Sequence, residues 1–143
     1  MRSLILRTAS RYLLPLLILF SVFIFLRGHH APGGGFVGGL LAASAFALHA
    51  IGFGVDETRK LLVVRPQILM GVGLLCAIFS AIIAPLFTNL PFMTALWGER
   101  EFPAIGPLNT PLLFDLGVTL TVIGVVLLII FVLMEDLQED ESA

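Results

Sequence analysis

Apolar residues fall into four long runs along this chain, separated by short polar or glycine-rich connections. The runs cover approximately residues 10–27, 36–54, 66–87 and 111–134, and an acidic tail follows over 135–143. A bilayer core of about 30 Å takes about 20 helical residues to cross. The pattern therefore predicts an all-α integral membrane protein with four transmembrane helices, in a single membrane domain over residues 1–143. The first run is short, but Arg11 and Arg27 near its ends can reach the two interfaces with their long side chains. The third run starts at Pro66, a favourable first-turn residue, and ends near Phe87, just past Pro85. The fourth opens on "NTPLLFD", where Thr110 can cap and Pro111 sits at the first helical position.

Charge gives these runs a direction. With the N-terminus inside, the inner side holds Arg2, Arg7, Arg11, Arg59, Lys60 and Arg65, and the outer side holds Arg27 and Arg100. Six against two predicts both termini in the cytoplasm and a multi-pass protein of the cytoplasmic membrane. Arg2–Arg11 followed by Tyr12–Leu26 has the layout of a signal peptide, but no small-residue cleavage site follows, so an uncleaved anchor is expected. The tail reads as a solvated terminus. Between the third and fourth runs lies the longest connection, roughly Thr88 to Asn109. It is weakly polar and holds Phe92, Met93, Leu96 and Trp97, which predicts a segment lying at the interface or against a partner, with Trp97 at headgroup depth. Pro91, Pro103 and Pro107 argue against one long helix there.

Composition agrees with the pattern. The chain is 58% hydrophobic and 13% charged, with a mean hydropathy of +1.04; soluble domains are about 45–50% apolar and about 25% charged. A net charge of −2 leaves no nucleic-acid footprint. The lone Cys76 provides neither a disulfide framework nor a CxxC pair.

The stretch "RGHHAPGGGFVGGL" carries the densest set of special residues. Gly33-x-Gly35-x-x-Gly38 spells a dinucleotide fingerprint, but Pro32 precedes it and a membrane span follows, so the strand–turn–helix context is missing. The amides of Gly33–Gly35, at a helix start, leave an anion or carboxylate contact open. Further along, Gly35, Gly39, Ala43 and Ala47 recur every four residues, with Gly34, Gly38 and Ala42 in a second row. Gly73, Ala77 and Ala81 form a similar row in the third run, and Gly117, Thr121 and Gly124 in the fourth. Rows without side-chain bulk let another backbone approach closely. They serve either internal packing of a four-helix bundle or docking onto other membrane subunits.

Few polar residues enter the runs. His29 and His30 lie in the first connection, and His49 lies thirteen residues after Phe36, about 20 Å along a helix. Three histidines so placed cannot share one metal, and no cofactor or catalytic cluster is expected. His29 and His30 read as interfacial residues bonding the glycine turn or as groups handling protons or cations. His49 reads as a satisfied interfacial histidine or as a functional group within a span. Asp115 lies about 7 Å into the last helix. It is either a carboxylate stabilised by the helix N-terminus or a cation attractor. No lysine or glutamate occupies the middle of any run, so the chain is not expected to carry a proton relay across the bilayer by itself.

"GHHAPGGGFVGGL" and "TPLLFDLGVTLTVIG" together resemble the MnhB component of Mrp-type (Mnh-type) multisubunit sodium/proton antiporters, and length and hydropathy layout extend the likeness over nearly the whole chain. Gly28, His29, Pro32, Gly33, Gly34, Gly35, Phe36, Gly38 and Gly39 match the first motif, and Phe114, Asp115 and Gly117 the second. His30 stands where asparagine is common in the family, and Thr119 where tyrosine is common. The resemblance implies a small non-enzymatic subunit in which the motif residues shape close helix contacts, and helix periodicity adds Ala43 and Ala47 to that packing face. Its partners would be the large antiporter-like subunits and other small membrane subunits, in a complex that moves Na+ and H+. Asp115, His49 and His30 are the candidates for a cation or proton route. The corresponding subunit of a membrane-bound hydrogenase-type complex, or an autonomous four-span transporter, is the alternative setting.

Overall fold

The computed structural model describes residues 3–28, 34–89, 91, 95–102 and 106–142. Four of its helices are long and apolar enough to cross a membrane. They are α1 (Leu4–Gly28), α2 (Gly34–Phe53), α4 (Pro66–Thr88) and α5 (Thr110–Ser142). A short helix, α3 (Val55–Leu62), lies between the second and third, and two strands, β1 (Trp97–Phe102) and β2 (Gly106–Asn109), precede the last.

Local chemistry sets the boundaries. Pro66 opens α4, where its missing N–H goes unneeded. Asn89 closes the same helix in the left-handed conformation at φ 52°, one of the few non-glycine residues that tolerate it. Pro15 and Pro85 sit inside α1 and α4, as proline does more often in membrane helices than in soluble ones. α5 has 33 residues and is about 50 Å long, well beyond a bilayer core of about 30 Å. Its last turns carry the acidic tail as a continuation of the helix.

The long connection before α5 is built as a hairpin. β1 and β2 pair antiparallel, Trp97 opposite Asn109 and Phe102 opposite Gly106, with an irregularity in the register between Trp97 and Glu101. Thr110 fixes this hairpin to the helices. Its N–H donates to the Leu96 carbonyl at 3.1 Å, and its hydroxyl accepts the Leu96 N–H at 3.0 Å. Ser80 of α4 donates to the Thr110 carbonyl at 2.6 Å.

The helices pack in the order α1, α2, α5, α4. This is an open row and not a closed bundle, and the glycine rows explain its order. On α2, Gly34 lies against Gly28 of α1, backbone on backbone. A side chain at Gly38 would press on the Ser21 carbonyl, and Ser21 Oγ donates to the Gly38 carbonyl at 2.7 Å. Gly52 meets Ser10 at the far end of α1. One residue round the helix, Gly35 and Gly39 face α5 at Asp115, Thr119 and Val122. Between α4 and α5 the two remaining rows mesh: Gly117 sits on Gly73 and Ala77, and Gly124 on Pro66 and Met70. These rows are therefore filled within the chain. What the row leaves outward is large and apolar, including Leu16, Leu19 and Phe23 on α1 and Leu74, Leu75 and Phe79 on α4.

The spacing on α2 departs from the uniform four-residue row. The buried cluster beside Leu127 and Phe131 contains Ala43 and Ala50 with Phe46 packed against it, whereas Ala47 is half-buried. Steps of four drift by about 40° each on a helix of 3.6 residues per turn, so alternating fours and threes keep the contact on one face. Val55 of α3 completes this cluster.

Candidate functional site

Two polar centres sit at opposite ends of α2. At the end where α1 stops and α2 starts, the glycine motif brings three helices together. Gly28 and Gly34 join α1 to α2, and Gly35 brings α2 against Asp115 of α5. A Cβ at Gly35 would lie 2.5 Å from Asp115 Oδ1 and 2.7 Å from its Cγ, so only a glycine leaves room for the carboxylate. Asp115 is half-buried, and its Oδ2 is shut off from solvent. It stands in the second turn of α5, where the helix dipole favours a negative charge. Thr119, one turn on, points its hydroxyl between the Asp115 carbonyl at 2.8 Å and the Gly35 carbonyl at 3.0 Å. This hydroxyl ties α5 to α2 beside the acid.

Of the other motif residues, Phe36 and Phe114 are exposed, at 51% and 38%, and do not join this centre. Gly117, two residues beyond Asp115, is buried on another side of α5 against α4. His29, His30, Pro32 and Gly33 lie outside the described residues.

The second centre surrounds His49, which is 8% exposed near the end of α2. Its Nδ1 is 2.8 Å from Thr58 Oγ1, and Thr58 Oγ1 is 2.8 Å from the Gly54 carbonyl. Two oxygens at that separation need a hydrogen between them. The single hydroxyl hydrogen of Thr58 is therefore committed to Gly54, and Oγ1 accepts from His49. This fixes Nδ1 as the protonated nitrogen in the neutral ring and leaves Nε2 to take up or release the second proton. The imidazole stacks on Phe53, with centroids 4.5 Å apart and planes 14° apart. Arg7 and Arg11 of α1 lie over the Phe53 ring at 4.9 and 5.6 Å.

Sequence reasoning selected His49 but not the residues that hold it. Gly54 makes the arrangement possible. Its φ of 103° and ψ of 162° fall in a region open essentially to glycine alone. The chain turns there from α2 into α3 and folds Thr58 back under the histidine. The signal was present as "GFGVDET", a glycine between an apolar run and a charged one.

α3 continues from this centre as an amphipathic surface helix. Val55 and Thr58 are buried, while Asp56, Glu57, Arg59 and Lys60 face out. Lys60 donates to Glu57 at 2.7 Å. That hydrogen bond, then the charge of Lys60, holds the Glu57 carboxyl below its usual range, with a smaller contribution from His49. The same bond raises Lys60. Arg59 reaches across to Glu135 of α5 at 2.9 Å and covers the Phe131 ring. Among the described residues, no group of three or more His, Cys, Asp or Glu side chains is placed to hold a metal ion.

Glycines thus join the first two of four apolar helices and seat an acid near the start of the last one. Residues 5–128 match the family described as a domain related to the MnhB subunit of Na+/H+ antiporter. The chain belongs to the MnhB family. The B subunit of the Na(+)/H(+) antiporter of Bacillus subtilis (strain 168) is 39% identical over 136 residues, covering 94% of each chain. That of Alkalihalophilus pseudofirmus is 38% identical over 134 residues, covering 92% of each. In this MnhB-family chain the matched region takes in all four apolar helices up to Leu128 of α5, and with them both polar centres.

Proposed function

We infer that this protein is the MnhB component of a multisubunit Na+/H+ antiporter, a multi-pass protein of the cytoplasmic membrane with both termini in the cytoplasm. The observation that carries the reading is the family match over most of the chain, together with relatives of nearly equal length that bear the name of that antiporter component. Four spans put both termini on one side, and the arginine-bearing ends of α1, α3 and α4 supply the positive charge expected inside. Its partners are the large antiporter-like subunits and the other small membrane subunits of that complex. The outward apolar faces of α1 and α4 are surfaces on which such helices or lipid can lie.

Within the complex, Asp115 lines the outer part of a cation route, and His49 handles protons near the cytoplasmic face through Nε2. The carboxylate in the second turn of a membrane-spanning helix supports the first role, because acids within spans face protein or water and mark ion pathways. The fixed tautomer supports the second. The test is Asp115→Asn in the assembled complex, read as Na+-dependent proton exchange in everted vesicles. We expect the apparent Na+ affinity to fall severalfold with all subunits still co-purifying. An unchanged affinity removes Asp115 from the route.

A further inference from the structure

Beyond the two polar centres, the structure holds a cleft of about 800 Å³ between α3, the start of α4 and α5. Its lining is divided. Among the described residues, the charged side chains that line it are Arg59, Lys60 and Arg65, and no acid is part of that lining. Val63, Ile68 and Leu128 give it an apolar wall, and buried Phe131 lies at its back. The turn that shapes its rim is unusual. The Val64 N–H donates to the Leu62 carbonyl at 2.6 Å around Val63, which is held at φ 62° and ψ −40°. This is a γ-turn at positive φ, rare and strained for a β-branched residue. It leaves Val63 86% exposed beside the charged rim.

The cleft also sits at a defined depth. Pro66 begins the apolar helix α4, and Glu135 marks the point where charge returns on α5. The lining thus changes from charged to apolar where the apolar stretches of α4 and α5 begin and end. Two of the cations have carboxylate partners, Arg59 with Glu135 and Lys60 with Glu57, both partly exposed. Arg65 is exposed and has no ion pair among the described residues.

From this juxtaposition we propose that the cleft binds an anionic glycerophospholipid of the surrounding leaflet, its phosphate at Arg65 and Lys60 and its acyl chains along Ile68, Val63 and Leu128. Charge complementarity selects the headgroup, and the apolar wall selects an amphiphile over a free ion. Basic pockets between membrane helices on the cytoplasmic side are suited to such headgroups.

Native mass spectrometry of the full chain in mild detergent tests this, titrated with phosphatidylglycerol, phosphatidylcholine or inorganic phosphate. Phosphatidylglycerol should be retained over phosphatidylcholine. Arg65→Gln and Lys60→Gln should each weaken that retention roughly fivefold, leaving phosphatidylcholine unchanged. Both side chains are exposed, and an unchanged elution profile checks that the fold survives. Equal retention of the two lipids, or phosphatidylglycerol retention untouched by either substitution, overturns the proposal. So does complete displacement by inorganic phosphate, which would make the site one for a free ion. In whole membranes, a photo-crosslinking residue in place of Val63 should capture phospholipid. Capture of another protein chain there would assign the cleft to a partner instead.

Discussion

Single residues decide the two polar centres by what they lack as much as by what they carry. Gly35 makes room for Asp115 because a Cβ there would enter the carboxylate. The short hydroxyl of Thr119 reaches the Gly35 carbonyl at 3.0 Å. At the other end, Thr58 is wholly buried and supplies the acceptor for His49. Thr58→Val keeps the shape and removes that acceptor. It should cost about 1–3 kcal/mol, the usual penalty for stranding a buried donor, read from chemical denaturation in detergent. Thr58→Ser should recover most of the loss. Equal stability of all three proteins would mean that the hydroxyl does not hold the ring.

At the scale of elements, the two glycines of α4 separate into one that touches a neighbour and one that does not. A Cβ at Gly73 would come within 2.6 Å of the Gly117 carbonyl, while one at Gly71 meets nothing within 4 Å. Gly73→Ala should therefore force α4 from α5 and lower the yield of folded protein. Gly71→Ala should be neutral or stabilise by about 0.5–1 kcal/mol through helix propensity. Thermal melting of the two variants compares them directly, and similar effects would contradict the packing described. The Glu57–Lys60 pair on α3 gives a pH prediction. The folded pKa of Glu57 is depressed, so its contribution is complete above the ordinary 4.5 and fades as pH falls through the lower folded value. Lys60 is raised, so its contribution is complete below 10.5 and fades as pH rises through the higher folded value. The stability difference between wild type and Lys60→Gln should be flat across the interval between. A slope near neutral pH would require a different titrating group.

The whole molecule is a row of four apolar helices with its bulk facing outward, a form that makes sense where lipid or partner helices replace water. Helices meet through backbone contact because hydrocarbon gives no hydrophobic gain for burying leucine. That is why small residues dominate the interior, with Leu127 and Phe131 buried beside Ala43 and Ala50, while most large apolar side chains of α1 and α4 lie outside. Orientation is testable at this scale. With Cys76 replaced by serine, Val63→Cys should react with an impermeant maleimide in everted vesicles and be protected in intact cells. The reverse pattern would invert the assigned topology.

Four apolar helices, and the places where several start and stop, were legible along the chain because length, hydropathy, proline and capping chemistry are local. The small-residue rows were legible too, since their periodicity follows from helix geometry alone. Which row meets which helix is a matter of packing in three dimensions. Gly34 and Gly35 are neighbours in sequence, yet one faces α1 and the other α5, because successive residues turn by about 100°. Nor could the local pattern place Thr58 beneath His49 or bring Arg59, Lys60 and Arg65 around one cleft. Those contacts depend on the turn at Gly54 and on the approach of α5, an element distant in the chain, and no window of sequence contains both.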